Sequence, residues 1–258
     1  MHPLRWLLCV FALSLPLTLQ AAALQLYTED YPPLNFNRDG KPAGLGVEVV
    51  EELLKRTGHT ATISVVPWAR GYQNTLSEPN SGLFVTMRTA EREKLFKWVG
   101  PIAVAVTSFY ALKGSGLSIR SLDDARQLGT IAVPRQWYSY QTLQTKGLSN
   151  LYGVLGPKQM MTMLRHRRVP LVVADNLTLP DLLALGGLKT AEVEALHSFL
   201  RSYAYIAFSP DTDDALIRQW QASLEQMKAD GSFSAIYQRW LPGQEIPLKP
   251  APETAIRP

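Results

Sequence analysis

The stretch "TMRTAEREKLFKWVGP", residues 86–101, gathers residue types suited to gripping an anion. Read as the start of a helix, it puts Thr89 at the N-cap, where a hydroxyl accepts from a backbone N–H, and Glu91 in the first turn, where the helix dipole favours an acid. Arg92 then falls near the third helical position, where the dipole disfavours a cation by a few tenths to ~1 kcal/mol. Two readings are open. Arg92 points to solvent or pairs with a distant carboxylate; or the guanidinium, the Thr89 hydroxyl and free backbone N–H groups hold a ligand carboxylate together, and the anion offsets the cost. Asp175 ends the apolar run "VPLVVAD", 169–175. An acid at the carboxyl end of a strand in an open α/β sheet stands where ligands bind. It is also suited to cap the helical segment "NLTLPDLLAL" that follows.

Other chemistries find little support. No Ser/His/Asp or Cys/His set stands out. His2, His59, His166 and His197 each lack a second histidine or carboxylate at metal-ligand spacing, so neither metal nor cofactor is expected. "RHRR", 165–168, reads as a solvated helix end. "GSG", 114–116, and "ALGGLK", 184–189, read as turns rather than phosphate loops, and "MMTML", 160–164, as helix core. The only cysteine, Cys9, lies in the apolar run "WLLCVFALSLPLTL", between the basic "MHPLR" and the small residues "QAAA". That order is a secretory signal peptide over residues 1–23. A membrane anchor is the alternative, but the run is short and contains Pro16. Cleavage leaves no thiol for disulfides, nucleophilic catalysis or metal binding. It also removes Arg5, so the formal net charge drops from +4 to +3. No basic stripe points to nucleic acid.

The elements that must position these residues alternate. "LQLYT" is a strand, "NRDGKPAG" a turn, and "GVEVVEELLKRTGH" a helix with Val47, Val50, Leu53 and Leu54 on one face and Gly58 as its stop. "TATISVVP" and "SGLFVTM" are strands, and "IAVAVTSFYALKG", 102–114, is a long β-rich run. Alternation then restarts with a strand at 129–134, helices near 137–146 and 158–166, a strand at 169–175 and a helix at 178–185. "SYAYIAFSP", 202–210, is again β-rich. Two helices follow. The first carries the stripe Leu216, Ile217, Trp220, Leu224 and Met227 and stops at Gly231; the second is capped by Ser232 and stopped by Pro242. The fold class is α/β, with two mostly parallel sheets flanked by helices and joined by extended segments near 103–110 and 200–206. The expected division is lobe one from 24–104 plus 204–245, lobe two from 105–203, and a loose proline-rich tail from 246–258.

Four blocks in order resemble the amino-acid-binding type of extracytoplasmic solute-binding proteins. These are "TEDYPPLNFNRDGKPAGLGVEVVEELLKRTG", "TAEREKLFKWVGP", "VPLVVADN" and "YAYIAFSPDTDD…LEQMKADGSFSAIYQRWLPG". The resemblance spans nearly the whole mature chain. It implies a two-lobed, hinged fold with a ligand cleft, a periplasmic monomer, and a membrane permease or sensor as partner. It implies that Arg92 and Thr89 take a ligand carboxylate, that Asp175 takes its ammonium, and that Tyr31 and Trp68 are aromatic walls. The sequence departs from the pattern where Met87 replaces a hydroxyl residue, with Arg88 beside it, and where "PRQWYSYQ", 134–141, replaces a small Gly-Thr/Ser loop. Arg70 and Arg88 would add positive charge, and Tyr138 and Tyr140 would narrow the cleft. The expectation is a binding protein for a small carboxylate-bearing solute, not an enzyme. The alternatives are a dehydratase of cyclohexadienyl acids using Asp175 or Glu29, or a sensing module without a transporter.

Overall fold

Two 16-residue strands, Lys97–Leu112 and Val193–Phe208, run antiparallel along each other and tie the molecule together. The computed structural model describes residues 23–252. The signal-peptide expectation for 1–23 and the end of the tail fall outside that range, apart from Ala23 and residues 246–252. In chain order the elements are β1 (Leu24–Thr28), β2 (Phe36–Arg38), β3 (Lys41–Ala43), α1 (Leu45–Thr57), β4 (Ala61–Val65), α2 (Trp68–Ser77), β5 (Ser81–Met87) and β6 (Lys97–Leu112). Then come α3 (Leu122–Gln127), β7 (Ile131–Pro134), α4 (Tyr138–Thr145), β8 (Leu151–Val154), α5 (Pro157–Arg165), β9 (Leu171–Asp175), α6 (Leu179–Leu185), β10 (Val193–Phe208), α7 (Asp214–Ala229) and α8 (Ser232–Trp240). Among the described residues no helix is long and apolar enough to cross a membrane.

One sheet has the order β4-β1-β5-β10-β6-β9-β7-β8. β1 is parallel to β4 and β5, and β7 is parallel to β8 and β9; β10 runs antiparallel to the first group through β5, and β6 antiparallel to the second through β9. β5 meets only Ala204–Phe208 of β10, and β9 meets only Thr107–Tyr110 of β6. The long strands therefore serve one half of the sheet with one end and the other half with the other. Register shifts interrupt their pairing at Ala195/His197, Ser198/Leu200 and Ala204/Ile206, and such irregularities bend a ladder locally.

The helices cover the sheet as their apolar periods require. Leu45, Val49, Val50 and Leu53 of α1 pack with Trp220, Leu224 and Met227 of α7 and Phe233, Ile236 and Tyr237 of α8 over the first half of the sheet. Met160, Met161 and Leu164 of α5 join Leu182 and Leu183 of α6 on one face of the second half. Ala125 and Leu143 pack on its other face. Gly58 ends α1 at φ 72, the left-handed geometry its sequence position suggests. Gly44, at φ 122, has no room for a side chain, because a Cβ would stand 2.4 Å from the Leu34 carbonyl oxygen.

Three local expectations fail. The residues after Thr89 form consecutive turns rather than a helix: the Arg92 N–H donates to the Thr89 carbonyl and the Leu95 N–H to the Arg92 carbonyl. Only nine residues separate Met87 from Lys97, and within them the chain doubles back from the level of Ala204 to that of Phe208 before β6 starts on the other side of β10, which it does through turns. Thr89 therefore caps nothing, and its hydroxyl bonds to the Glu91 carboxylate instead. Ser232 is likewise the first residue of α8 and not its cap. Gly231 holds the N-cap place, and Asp230 Oδ1 accepts from the Ser232 N–H at 3.0 Å. Helices α2 and α3, strand β8 and the β2–β3 hairpin were not read from sequence. Leu151–Val154 lacks alternation, and α3 is six residues long, so neither gives a strong periodic signal.

Candidate functional site

The two sets of three parallel strands, β1, β4 and β5, and β7, β8 and β9, run in opposite directions and lead at their carboxyl ends to one cavity of about 230 Å³. Ligands in open α/β sheets bind at the carboxyl ends of strands. Here each end contributes lining residues. β1 leads into Glu29, Asp30 and Tyr31, β4 into Trp68, and β5 into Met87 and Arg92. β7 leads into Gln136, Trp137, Tyr138 and Ser139, β8 into Leu155, Gly156 and Pro157, and β9 ends in Asp175. The volume lies below the roughly 300–1,000 Å³ of sites for drug-sized ligands, which suits a small solute.

A bulge sets the Met87 side of the cavity. Val85 has φ 58, a conformation a β-branched residue seldom adopts, and the β5–β10 register shifts beside it, between Tyr205 and Ile206. Val85 and Met87 both line the cavity. The turns that follow swing Arg92 back under the strand end, where its guanidinium donates to the Met87 carbonyl at 3.2 Å. The guanidinium carbon lies 5.1 Å from the centroid of Trp68 and 5.6 Å from that of Tyr72, cation–π contacts that hold a charge in an apolar wall. Among the described residues no carboxylate forms a salt bridge with it. Burial lowers its pKa, yet arginine stays charged in proteins. Four of its five N–H donors have no partner among the described residues.

Glu29 lies in the same cavity. Burial, only partly opposed by the charge of Arg92, pushes its carboxyl up to about 7. Across the cavity Asp175 is 6% exposed. Its Oδ1 accepts from the Leu177 and Thr178 N–H groups at 2.9 and 3.1 Å, and its Oδ2 from the Thr178 hydroxyl at 2.8 Å. The Tyr31 phenol, from the opposite wall, donates to Oδ2 at 2.5 Å. Tyr31 also meets Trp137 edge-on, with centroids 6.2 Å apart. The Tyr138 hydroxyl lies 3.0 Å from that of Thr107.

Of the residues singled out from sequence, Tyr31, Trp68, Met87, Arg92, Tyr138 and Asp175 meet at this cavity. Arg70, Arg88 and Thr89 are not among its lining residues. Arg70 is exposed on α2. Arg88 pairs with Glu93 and lies over Trp98 and Tyr205. Tyr140 packs into the core behind β7. Trp137, Gln136 and the Leu155–Pro157 turn were missed as lining. The first two stand in the "PRQWYSYQ" segment after β7, where the strand-end rule alone pointed.

Comparison with known proteins bears on the family and the fold. The chain is 24% identical over 222 residues to the L-cystine-binding protein TcyA of Bacillus subtilis (strain 168), covering 84% of this chain and 79% of the relative. It is 23% identical over 217 residues to the L-cystine-binding protein TcyJ of Escherichia coli (strain K12), covering 81% and 79%. A crystal structure of a histidine kinase sensor domain with similarity to periplasmic binding proteins superposes with a TM-score of 0.76 at 18% identity, over 86% of this chain and 97% of that one. The fold is thus the two-lobed, hinged α/β fold of periplasmic binding proteins. The family model of bacterial extracellular solute-binding proteins, family 3, matches residues 25–243, and the chain belongs to that family.

Proposed function

We propose that this protein captures a small carboxylate-bearing solute between its two lobes and presents the closed form to a membrane partner, an ABC-type permease or a sensor. One observation carries the reading: a half-buried arginine with most of its donors unspent faces a cavity at the carboxyl ends of two opposed sets of three parallel strands. Arg92 is the carboxylate anchor, in bidentate geometry. Trp68, Tyr31 and Tyr138 are the walls, and Met87 is an apolar lining. Lobe one spans 24–104 plus 204–245 and lobe two 105–203. The places where β5 leaves β10 and β9 leaves β6 support those boundaries. The chain acts in the periplasm after loss of residues 1–23, as a monomer. The relatives that bind L-cystine support a solute of amino-acid size.

The test is a thermal-shift screen of the mature chain against amino acids, polyamines and small mono- and dicarboxylates, beside Arg92→Ala. A solute at a hundred times its Kd stabilises the folded state by about 2.7 kcal/mol. A carboxylate hit that vanishes in Arg92→Ala supports the reading. Hits that persist unchanged in the variant overturn the anchor.

Glu29 favours a second reading. A carboxyl pushed to about 7 in a cavity that also holds an arginine is poised as a general acid. In a dehydratase of cyclohexadienyl acids it would protonate the leaving hydroxyl, which departs as water while the ring carboxylate leaves as carbon dioxide and the electrons of that carbon–carbon bond complete the aromatic ring; solvent then returns the proton to Glu29. The appearance of aromatic absorbance on incubation with such an acid, lost in Glu29→Gln, would establish that chemistry; no turnover would leave the binding reading alone.

A further inference from the structure

The two charged ends of the cavity differ in what they have left to offer. An ionised carboxylate has about four acceptor sites. The two oxygens of Asp175 receive four donors from the chain itself: the Leu177 and Thr178 N–H groups, the Thr178 hydroxyl and the Tyr31 phenol. The Thr178 hydroxyl also lies 3.2 Å from the Tyr31 oxygen. Its single proton goes to the charged acceptor, which makes the shorter and stronger bond. Tyr31 keeps its proton, since burial and the neighbouring negative charge both oppose ionisation, and so it is a donor. Tyr31 comes from the loop after β1 and Asp175 from the end of β9, 144 residues apart in sequence. One wall of the cavity thus supplies, in its own phenol, the donor that a bound ammonium would otherwise bring to the facing wall.

Arg92 is the opposite case. It spends one donor on the Met87 carbonyl and has no salt-bridge partner among the described residues. Trp68, Trp137 and Tyr138 line the same cavity.

We propose that the solute is a carboxylic acid without an α-ammonium group and with an apolar, preferably flat, body, and that Tyr31 is the residue that excludes the amine. The inference rests on the reading that Arg92 takes the solute's carboxylate. An amino acid entering this cavity meets a carboxylate with no site free. At Asp175 its ammonium either goes unpaired or displaces the Tyr31 phenol, and each outcome weakens binding by about tenfold or more; the other two lining acids do not replace that partner, since Glu29 keeps its proton below about 7 and Asp30 is exposed, where water screens it. The corresponding acid with hydrogen in place of the amine avoids that loss and keeps the contact with Arg92.

The experiment measures, by calorimetry on the mature chain, matched pairs that differ only in the amine: 3-phenylpropionate against phenylalanine, and 3,3′-dithiodipropionate against cystine. Each pair is repeated with Tyr31→Phe and with Arg92→Ala. In the wild type the deaminated member binds at least about tenfold tighter. Tyr31→Phe vacates one acceptor site on Asp175 and moves the ratio back toward the amino acid by a similar factor. An amino acid that binds the wild type as tightly as its partner overturns the inference, as does a ratio unchanged in Tyr31→Phe. Failure of every member to bind overturns the assigned solute class. If Tyr31→Phe does not fold, as judged by its melting curve, the wild-type ratio decides alone. Binding that survives Arg92→Ala defeats the anchor assignment separately, and the pair ratio still reports on the amine.

Discussion

Arg88 and Arg92 lie four residues apart in one loop and meet the same aromatic ladder from its two ends. Trp68, Tyr72, Phe96, Trp98 and Tyr205 touch in series, with ring centroids 5.2–6.0 Å apart. Arg88 lies 5.1 Å from the centroid of Tyr205 and grips Glu93 through two donors. Arg92 lies 5.1 Å from the centroid of Trp68, donates to a backbone carbonyl and faces the cavity. Both are cations stacked on aromatic rings. Only the second lacks a carboxylate partner among the described residues. An arginine's charge is therefore no guide to its use; what distinguishes the two is whether the fold has already provided a counterion.

The largest effect should come from removing the unspent cation. Arg92→Ala should lower carboxylate affinity by about a hundredfold or more, because a buried charge-assisted bidentate contact is lost. Its melting temperature should hold, since the variant no longer buries a charge without a counterion. Arg88→Ala should leave affinity within about threefold. Equal losses in the two would break the comparison. Calorimetry with a hit from the carboxylate screen reads both.

Asp175→Ala comes next, and its effect is on stability. It strips four donors of their acceptor, including two backbone N–H groups at the start of α6. Unmet buried donors cost about 1–3 kcal/mol. A chemical-denaturation midpoint should fall accordingly, and an unchanged midpoint would mean that water replaces the carboxylate without loss.

A smaller effect concerns pH. The Glu29 carboxyl titrates near 7 when folded against an ordinary 4.5, with burial the main cause and Arg92 opposing it. The raised value means that the folded state holds the proton more tightly than the unfolded chain. This contribution to stability is therefore fully present below 4.5 and declines as pH rises through about 7. Ligand affinity follows the same sign. Below about 7 Glu29 is neutral and leaves Arg92 free for an anion; above it the ionised carboxyl competes for the guanidinium and repels the ligand. Carboxylate affinity should thus be level in mild acid and weaken through neutrality, and Glu29→Gln should flatten the profile. A profile that rises with pH would refute the placement of Glu29 beside the bound anion.

The smallest effect sharpens the contrast from the other side. Glu93→Gln weakens the partner of Arg88, a half-exposed pair worth at most about 1 kcal/mol. Affinity should not change, and the melting point should shift by a few degrees at most.

How much of this was legible beforehand depended on the range of the signal. Periodic segments such as α1 and α7 announced themselves, because their apolar stripes repeat at helical spacing and burial follows the stripe. The strand ending at Asp175 was equally clear. The helix expected after Thr89 was wrong because capping chemistry is local, whereas the chain there doubles back between two strands within nine residues. Trp137 and the turn after β8 carried no motif; they line the cavity only because their strands end there.

The sequence alone determined the fold class, the two-unit organisation and the arginine and aspartate as candidates, because each rests on short-range pattern or on ordered blocks. Only the tertiary structure decided which groups were already paired. Glu93 lies close enough in the chain to claim Arg88, but Asp175 is claimed by Tyr31 from 144 residues away. Hydrogen-bond saturation is a property of three-dimensional neighbours, and no spacing in the chain encodes it.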